Sequence, residues 1–355
     1  MKIEDKLLLR PEDFKPSLKN WTIDGVLNPA AIRLPNKKVM LYVRIAESSP
    51  PEKGNLTCPV FTRGGKLKTV IVPKTEKIIK KGNLLYLKRK FCRLLNISHF
   101  RRVVLDKNGF YVEKIEQKPI FTGLKNDGDY GVEDPRIVKI GGRYIMTYVS
   151  VSLNEGVSTS LAMSDNLTKW KRRGIIFREQ NKDVVVFPEK INGDYIALHR
   201  PEGFFKFSKP SIWISHSSDL IHWGEEKSII LPRRMSWDSE RLGAGAPPIK
   251  TEKGWLLIYH GVRGSGKHRP YCAGAVLLDL KNPEKILARS KKNNPLIKPE
   301  RDYEINGFVD RVIFPTGVVL SLDKKDLLVY SGGGDRVISV NKIAVEDVLN
   351  SMEYY

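Results

Sequence analysis

The chain is poor in cysteine, and its three, Cys58, Cys92 and Cys272, lie far apart with no C-x-x-C pair. An odd, scattered count excludes a disulfide framework and a cysteine zinc site. Six histidines without ligand-like spacing argue against a transition metal. No apolar run reaches membrane-spanning length, and the first residues contain no h-region long enough for a signal peptide. The expected location is therefore cytoplasmic, with no membrane partner. A glycine-rich strand–loop–helix with a Walker lysine is missing: Gly332-Gly333-Gly334-Asp335 follows a strand, but no clear helix comes after it. Sustained helical periodicity is absent too, except for a candidate short helix from Ala344 to Met352.

What the chain has in excess is positive charge. Sixty-one Lys and Arg face 40 Asp and Glu, a net +21 over 355 residues. Such a balance suits nucleic acid, a membrane surface or a small anion. The one basic cluster, between Lys74 and Lys90, mixes its charges with strand-like Ile78 and Ile79 and reads as a solvated strand edge. No nucleic-acid-binding module accompanies it. Most of the excess reads as solvated surface, with a minority focusing anions into a site.

The punctuation is that of antiparallel strands. Asp106-Lys107-Asn108-Gly109, Gly141-Gly142, Asn192-Gly193-Asp194 and Lys253-Gly254 are hairpin signals. The last three precede similar phrases: Arg143-Tyr-Ile-Met-Thr-Tyr148, Tyr195-Ile-Ala-Leu-His-Arg200 and Trp255-Leu-Leu-Ile-Tyr-His260. Apolar strands are expected before them at Arg136–Ile140, Val186–Ile191 and Ala246–Lys250. Ser164-Asp-Asn-Leu-Thr-Lys-Trp170 is echoed by Ser217-Ser-Asp-Leu-Ile-His-Trp223. Residues 48–66, rich in Pro and Gly, read as a loop. Repeats of about 50 to 60 residues, each of about four strands, suggest propeller blades, and about five fit the chain. The expectation is an all-β, five-bladed β-propeller with a central active-site channel. Residues 1–24 read as a lead-in, 25–340 as the catalytic propeller and 341–355 as a C-terminal segment.

Glu133-Asp134-Pro135-Arg136 packs two carboxylates, a rigid proline and a guanidinium together. Pro135 pushes Asp134 toward extended geometry at a strand entrance. A fixed carboxylate close to charges that tune its pKa is what a proton donor needs. Alone, the tetrapeptide also reads as a strand-edge pair bonded to Arg136. A propeller would let Asn28, Asp134, Lys182, His260 and Asp335 converge. Lys182, Arg200, His260 and Tyr271 form a set of donors suited to an oxyanion. Lys182 and Lys190 also read as solvent-exposed, and His260 as a satisfied structural histidine.

Five motifs, in order, carry a family resemblance: Glu133-Asp134-Pro135-Arg136, Phe187-Pro-Glu-Lys-Ile-Asn-Gly193, Leu198-His-Arg-Pro201, Gly243-Ala-Gly-Ala-Pro-Pro-Ile249 and Trp255-Leu-Leu-Ile-Tyr-His-Gly-Val262. From about Gly25 to Asp335 the chain resembles glycoside hydrolase family 130, inverting β-mannoside phosphorylases with some hydrolases on a five-bladed propeller. The resemblance implies that Asp134 is the general acid, acting through the 3-hydroxyl of the transferred mannose. Inorganic phosphate attacks from the opposite face as co-substrate, with no cofactor and no metal. Arg200, His260 and Tyr271 match phosphate-binding positions, and Lys182 falls where another branch has Arg. Asn28, Arg44 and Asp335 match positions holding the mannosyl unit, and Glu133 stands beside the acid. Glu133 and the Lys182-Asp183 pair point to the mannobiose and mannooligosaccharide branch. The product is then α-mannose 1-phosphate; β-1,2 and β-1,4 linkages, and the oligomeric state, stay open. Two alternatives are a β-mannoside hydrolase, whose water-activating carboxylate would be Glu133, Asp183 or Glu189, and a non-catalytic glycan-binding propeller.

Overall fold

In a computed structural model, described over residues 2–73, 78–87, 91–203, 207–264 and 269–355, the chain is all-β. Five larger antiparallel sheets follow one another in sequence. Sheet one joins Thr22–Arg33, Val39–Ser48, Asn96–Leu105 and Val112–Ile115. Sheet two joins Val132–Ile140, Arg143–Ser152, Gly156–Ser164 and Lys171–Phe177. Sheet three joins Asn181–Val186, Tyr195–Pro201, Ile212–Ser217 and Gly224–Ile230. Sheet four joins Arg241–Ala244, Gly254–Val262, Tyr271–Leu278 and Ile286–Ser290, with Ile249–Thr251 beside the second strand. Sheet five joins Ile313–Leu320, Asp326–Gly333 and Val337–Ala344, and its outer strand is Ile3–Leu9.

Five apolar clusters lie between neighbouring sheets. Gly254–Val262 shows why its sequence does not alternate: every residue is buried, but on two different faces. Trp255, Leu257 and Tyr259 pack toward sheet three, with Val185, Leu198 and Ile214. Leu256 and Ile258 pack toward sheet five, with Ile313, Leu327 and Val329. A strand covered on both sides reads as one apolar run, although its side chains still alternate. The pattern recurs between sheets one and two, two and three, and five and one.

The hairpins expected at Asn108-Gly109, Gly141-Gly142, Asn192-Gly193 and Lys253-Gly254 all join paired strands. The echoed Ser–Leu–Trp phrase is one turn used twice, between the third and fourth strands of sheets two and three. In both copies the Ser hydroxyl accepts from a backbone N–H two residues on, and Leu167 and Leu220 adopt positive φ of 59° and 71°.

Other expectations are corrected. Residues 1–24 contain a strand, Ile3–Leu9, whose partner Val337–Ala344 lies at the far end of the chain. Thr22–Arg33 already begins before Gly25. Residues 48–66 contain the strand Leu56–Phe61, paired with Leu67–Val72. With Ile78–Lys81, Leu84–Leu87 and Phe91–Leu94 it belongs to two small sheets inserted between the second and third strands of sheet one. Ile78–Lys81 is an edge strand, as the basic cluster suggested; residues 74–77 and 88–90 lie outside the described residues. The strand expected at Val186–Ile191 runs instead over Asn181–Val186, because Pro188 cannot continue the ladder. The strand expected at Ala246–Lys250 is split by its prolines into Arg241–Ala244 and Ile249–Thr251. A helix covers Val345–Ser351, and Met352–Tyr354 joins the edge of sheet four. No helix among the described residues is long and apolar enough to cross a membrane.

Candidate active site

The first strands of the sheets carry polar residues where their outer neighbours are apolar, and they use one device to present them. Asn28, Asp134 and Asp183 each sit at a break in register, with positive φ of 39°, 48° and 55°. A regular strand sends consecutive side chains to opposite faces; a bulge re-aims one of them. Glu133 and Asp134 can therefore both line one cavity, as do Lys182 and Asp183. Asp134 is thus not extended, as Pro135 led us to expect. It occupies the left-handed region that Asp tolerates better than most residues, as the third residue of the strand Val132–Ile140.

The cavity measures about 230 Å³. One part is built on a carboxylate cluster. Arg44 donates to Asp134 Oδ1 at 2.9 Å and to Glu133 Oε1 at 2.8 Å, and Ser98 Oγ accepts from its Nε at 2.9 Å. Asn28 Nδ2 donates to the same Asp134 oxygen at 2.9 Å. Asp335 completes this part of the lining. Gly332 leaves space for Asn28: a Cβ there would lie 2.3 Å from Asn28 Oδ1.

The other part is cationic: Lys182, Arg200 and Arg241 line it, with Tyr271. Asp183 pairs with Arg200 at 2.6 Å, and Glu202 with the other Arg200 nitrogen at 3.0 Å. Lys182 has no ion pair among the described residues. Gly243 makes this packing possible, since a Cβ would come within 2.2 Å of Asp183 Oδ2 and 2.6 Å of His260 Cε1. Arg136 joins the two parts: it donates to the Asp134 carbonyl at 2.8 Å and lies 3.6 Å from Asp183. Its Nε also donates to the Gly245 carbonyl.

These charges set the protonation states. Burial by itself would raise the Asp134 pKa. Arg44 and Arg136, the Asn28 hydrogen bond and Lys182 outweigh it and hold Asp134 below the ordinary carboxylate range. Asp335 goes the other way: burial dominates, Arg44 opposes it only in part, Asp134 and Glu133 add repulsion, and its pKa is pushed up to about 6. His260 is held well below its usual value by burial and then by Arg200 and Arg136. It is a neutral imidazole whose Nε2 accepts from Arg200 Nη1 at 3.1 Å.

Of the residues expected from sequence, Asn28, Arg44, Glu133, Asp134, Lys182, Arg200, Tyr271 and Asp335 all line the one cavity. His260 does not. It is fully buried, stacked on Tyr271 and tilted against Phe314, and it reaches the cavity from behind through Arg200 and, at 3.6 Å, Asp183. Lys190 is exposed on an outer turn, its Nζ 4.4 Å from the Tyr195 ring centre.

Comparison with known proteins meets this geometry. The family model described as beta-1,4-mannooligosaccharide phosphorylase matches residues 98–354, more than half of the chain. The chain belongs to glycoside hydrolase family 130. Within this family, it is 40% identical over 69% of its length to a 1,2-beta-oligomannan phosphorylase of Thermoanaerobacter sp. (strain X514), covering 78% of that protein. It is 32% identical to the beta-1,2-mannobiose phosphorylase of Listeria innocua, over 99% of this chain and 97% of that one. A solved structure of the Listeria innocua enzyme with beta-1,2-mannobiose superposes with a TM-score of 0.87 over 99% of both chains, at 31% identity.

Sequence reasoning missed several contributors to this family 130 cavity, among them Arg241, Glu202 and Phe314. Arg241 stands two residues before the Gly243 motif, and that adjacency was the available signal. Glu202 follows the Leu198–Pro201 motif directly. Phe314, at the start of sheet five, lies 4.3 Å from the His260 ring, a contact that no local pattern announces.

Proposed function

We propose that this protein cleaves β-mannosides with inorganic phosphate, as an inverting phosphorylase that releases α-mannose 1-phosphate and a shortened sugar. One observation carries the reading: a single cavity joins a buried carboxylate cluster around Asp134 to a set of cations around Lys182 and Arg200. The relatives named above support the substrate class, and both carry names for β-1,2-linked mannosides. We therefore favour β-1,2 over β-1,4. The five sheets and their five intervening cores support a five-bladed propeller, with this cavity as its central channel.

In this reading Asn28, Arg44, Glu133 and Asp335 hold the terminal mannosyl unit. Lys182, Arg200 and Arg241 hold phosphate, with Tyr271 beside them. His260, neutral and buried, positions Arg200 rather than contacting the anion. A phosphate oxygen forms a bond to the anomeric carbon as the glycosidic C–O bond breaks. The departing oxygen takes the bonding pair and is protonated from Asp134 through the sugar 3-hydroxyl. The nucleophile is already anionic, so no second carboxylate is needed as base, unlike in an inverting hydrolase.

An acid must carry its proton, whereas Arg44, Arg136, Asn28 and Lys182 favour the ionised form of Asp134. Phosphate resolves this. Its charge offsets Lys182 and Arg136, two of the groups that depress Asp134. Binding phosphate should therefore raise the Asp134 pKa and draw in a proton. Calorimetry in two buffers of different ionisation heat should show more protons taken up with phosphate by the unmodified enzyme than by Asp134→Asn, the variant serving to subtract phosphate's own titration. The same proton count for both proteins would remove this link.

The decisive test is product analysis on β-1,2- and β-1,4-mannobiose with and without phosphate. Mannose 1-phosphate formed only with phosphate is the expected result, and Asp134→Asn should lower turnover by about 10²–10⁴-fold. Free mannose at the same rate in both conditions would mean a hydrolase. The geometry weighs against that outcome: Glu133 is bound to Arg44, Asp183 to Arg200, and Glu189 lies outside the cavity paired with Lys250.

A further inference from the structure

A second cavity, of about 610 Å³, opens beside the first. It lies between sheet one, the inserted small sheets and the loop before sheet five. Asp24, Ser48, Asn83, Asn96, Phe308 and Arg336 are among its lining residues. The two cavities are linked through consecutive residues: Phe308 lines the second and Val309 the first, Arg336 the second and Asp335 the first. Val26 N–H bonds the Arg336 carbonyl at 3.0 Å, which ties this wall to the strand carrying Asn28.

The second cavity combines an aromatic ring with many hydrogen-bonding groups, a set that suits a polyol. Phe308 is 64% exposed and leaves a face of its ring open to the cavity. The same lining holds the Asp24 carboxylate, the Ser48 hydroxyl, the amides of Asn83 and Asn96, and the cations Lys80 and Arg336. Ser48 Oγ donates to Asp24 at 2.9 Å, and Asn83 donates to Asn96 at 2.5 Å. Aromatic faces stack on the C–H side of a sugar ring while such polar groups meet its hydroxyls. The first cavity is small, so a longer substrate must leave through a neighbouring space.

Resting on the phosphorylase reading, we propose that this second cavity binds the acceptor-side sugars of a β-mannooligosaccharide. The two inserted small sheets, which supply Leu56, Lys80, Gly82 and Asn83 to its lining, then serve chain-length selection. Phe308 is the specificity-determining residue.

The test compares Phe308→Ala and Phe308→Tyr with the unmodified enzyme on β-1,2-mannobiose and β-1,2-mannotriose. In Phe308→Ala, kcat/KM for mannotriose should fall at least about fivefold, with KM for phosphate unchanged; Phe308→Tyr, which keeps the ring, should retain most of it. Unchanged mannotriose kinetics in Phe308→Ala would overturn the proposal. So would a matching loss of phosphate affinity, which would place the effect in the common fold. If the unmodified enzyme makes no mannose 1-phosphate from any mannoside, the phosphorylase reading fails instead, a distinct result.

Discussion

Asp335 illustrates how one buried side chain links the site to stability. Its pKa rises from 3.8 to about 6 on folding, mainly through burial. A carboxyl with a raised folded pKa contributes stability that is fully present below its unfolded value and lost as pH rises through its folded value. The window here is therefore about pH 4 to 6, and the loss is at most on the order of 3 kcal/mol. Asp335→Asn keeps the shape and removes the titration. We expect the ligand-free variant to melt higher than the unmodified protein at pH 8, and the gap to close as pH falls toward 4. Thermal melts across that range check it; a gap that does not vary with pH would mean that burial of the charge is not its source. Asp335 was legible in the sequence because it ends a glycine run that the family resemblance covers. The bulge geometry of Asn28, Asp134 and Asp183 was not. Reading Pro135 locally suggested extended backbone at Asp134, but pairing with the neighbouring strand imposes the bulge, and pairing is tertiary information.

Among the elements, hairpins were read correctly because their signal is contained in two or three residues, as at Asn192-Gly193. Ile3–Leu9 was missed for the opposite reason. Its partner lies more than 300 residues away, and nothing in a short apolar stretch says which strand it will join. Its role is to close the outer edge of sheet five. Ile3 pairs with Ile343 and Leu9 with Ile338, and Leu9 is fully buried against the core that holds Val340. Burying Leu9 alone contributes roughly 1.5–3 kcal/mol. Deleting residues 2–10 should lower Tm by several degrees and, by leaving Val337–Ala344 as an open edge, promote aggregation. The cavity residues are untouched, so KM for phosphate at 20 °C should stay near that of the full chain. A deletion that melted at the same temperature would show that this strand does not secure the sheet.

At the scale of the whole molecule, the proposed function asks what would draw phosphate into a cavity whose own charges cancel. Arg44, Lys182, Arg200 and Arg241 face Glu133, Asp134, Asp183 and Asp335, four against four. In that reading the local lining positions the anion but adds little net attraction at a distance. The chain as a whole carries +21, and a field of that sign raises the local concentration of anions and their rate of encounter. That composition was visible in the sequence from the start; only the cavity's internal neutrality needed the structure. The two contributions respond differently to salt. Fields beyond about 8 Å are largely screened at physiological ionic strength, whereas buried pairs such as Arg200 with Asp183 are not. Raising NaCl from about 20 to about 300 mM should therefore lower kcat/KM for phosphate severalfold. The value for a neutral mannoside, measured at saturating phosphate, should change little. The neutral substrate is the internal control. If both values fall together, salt is acting on the fold or the chemical step, and the surface charge has no part in delivering phosphate.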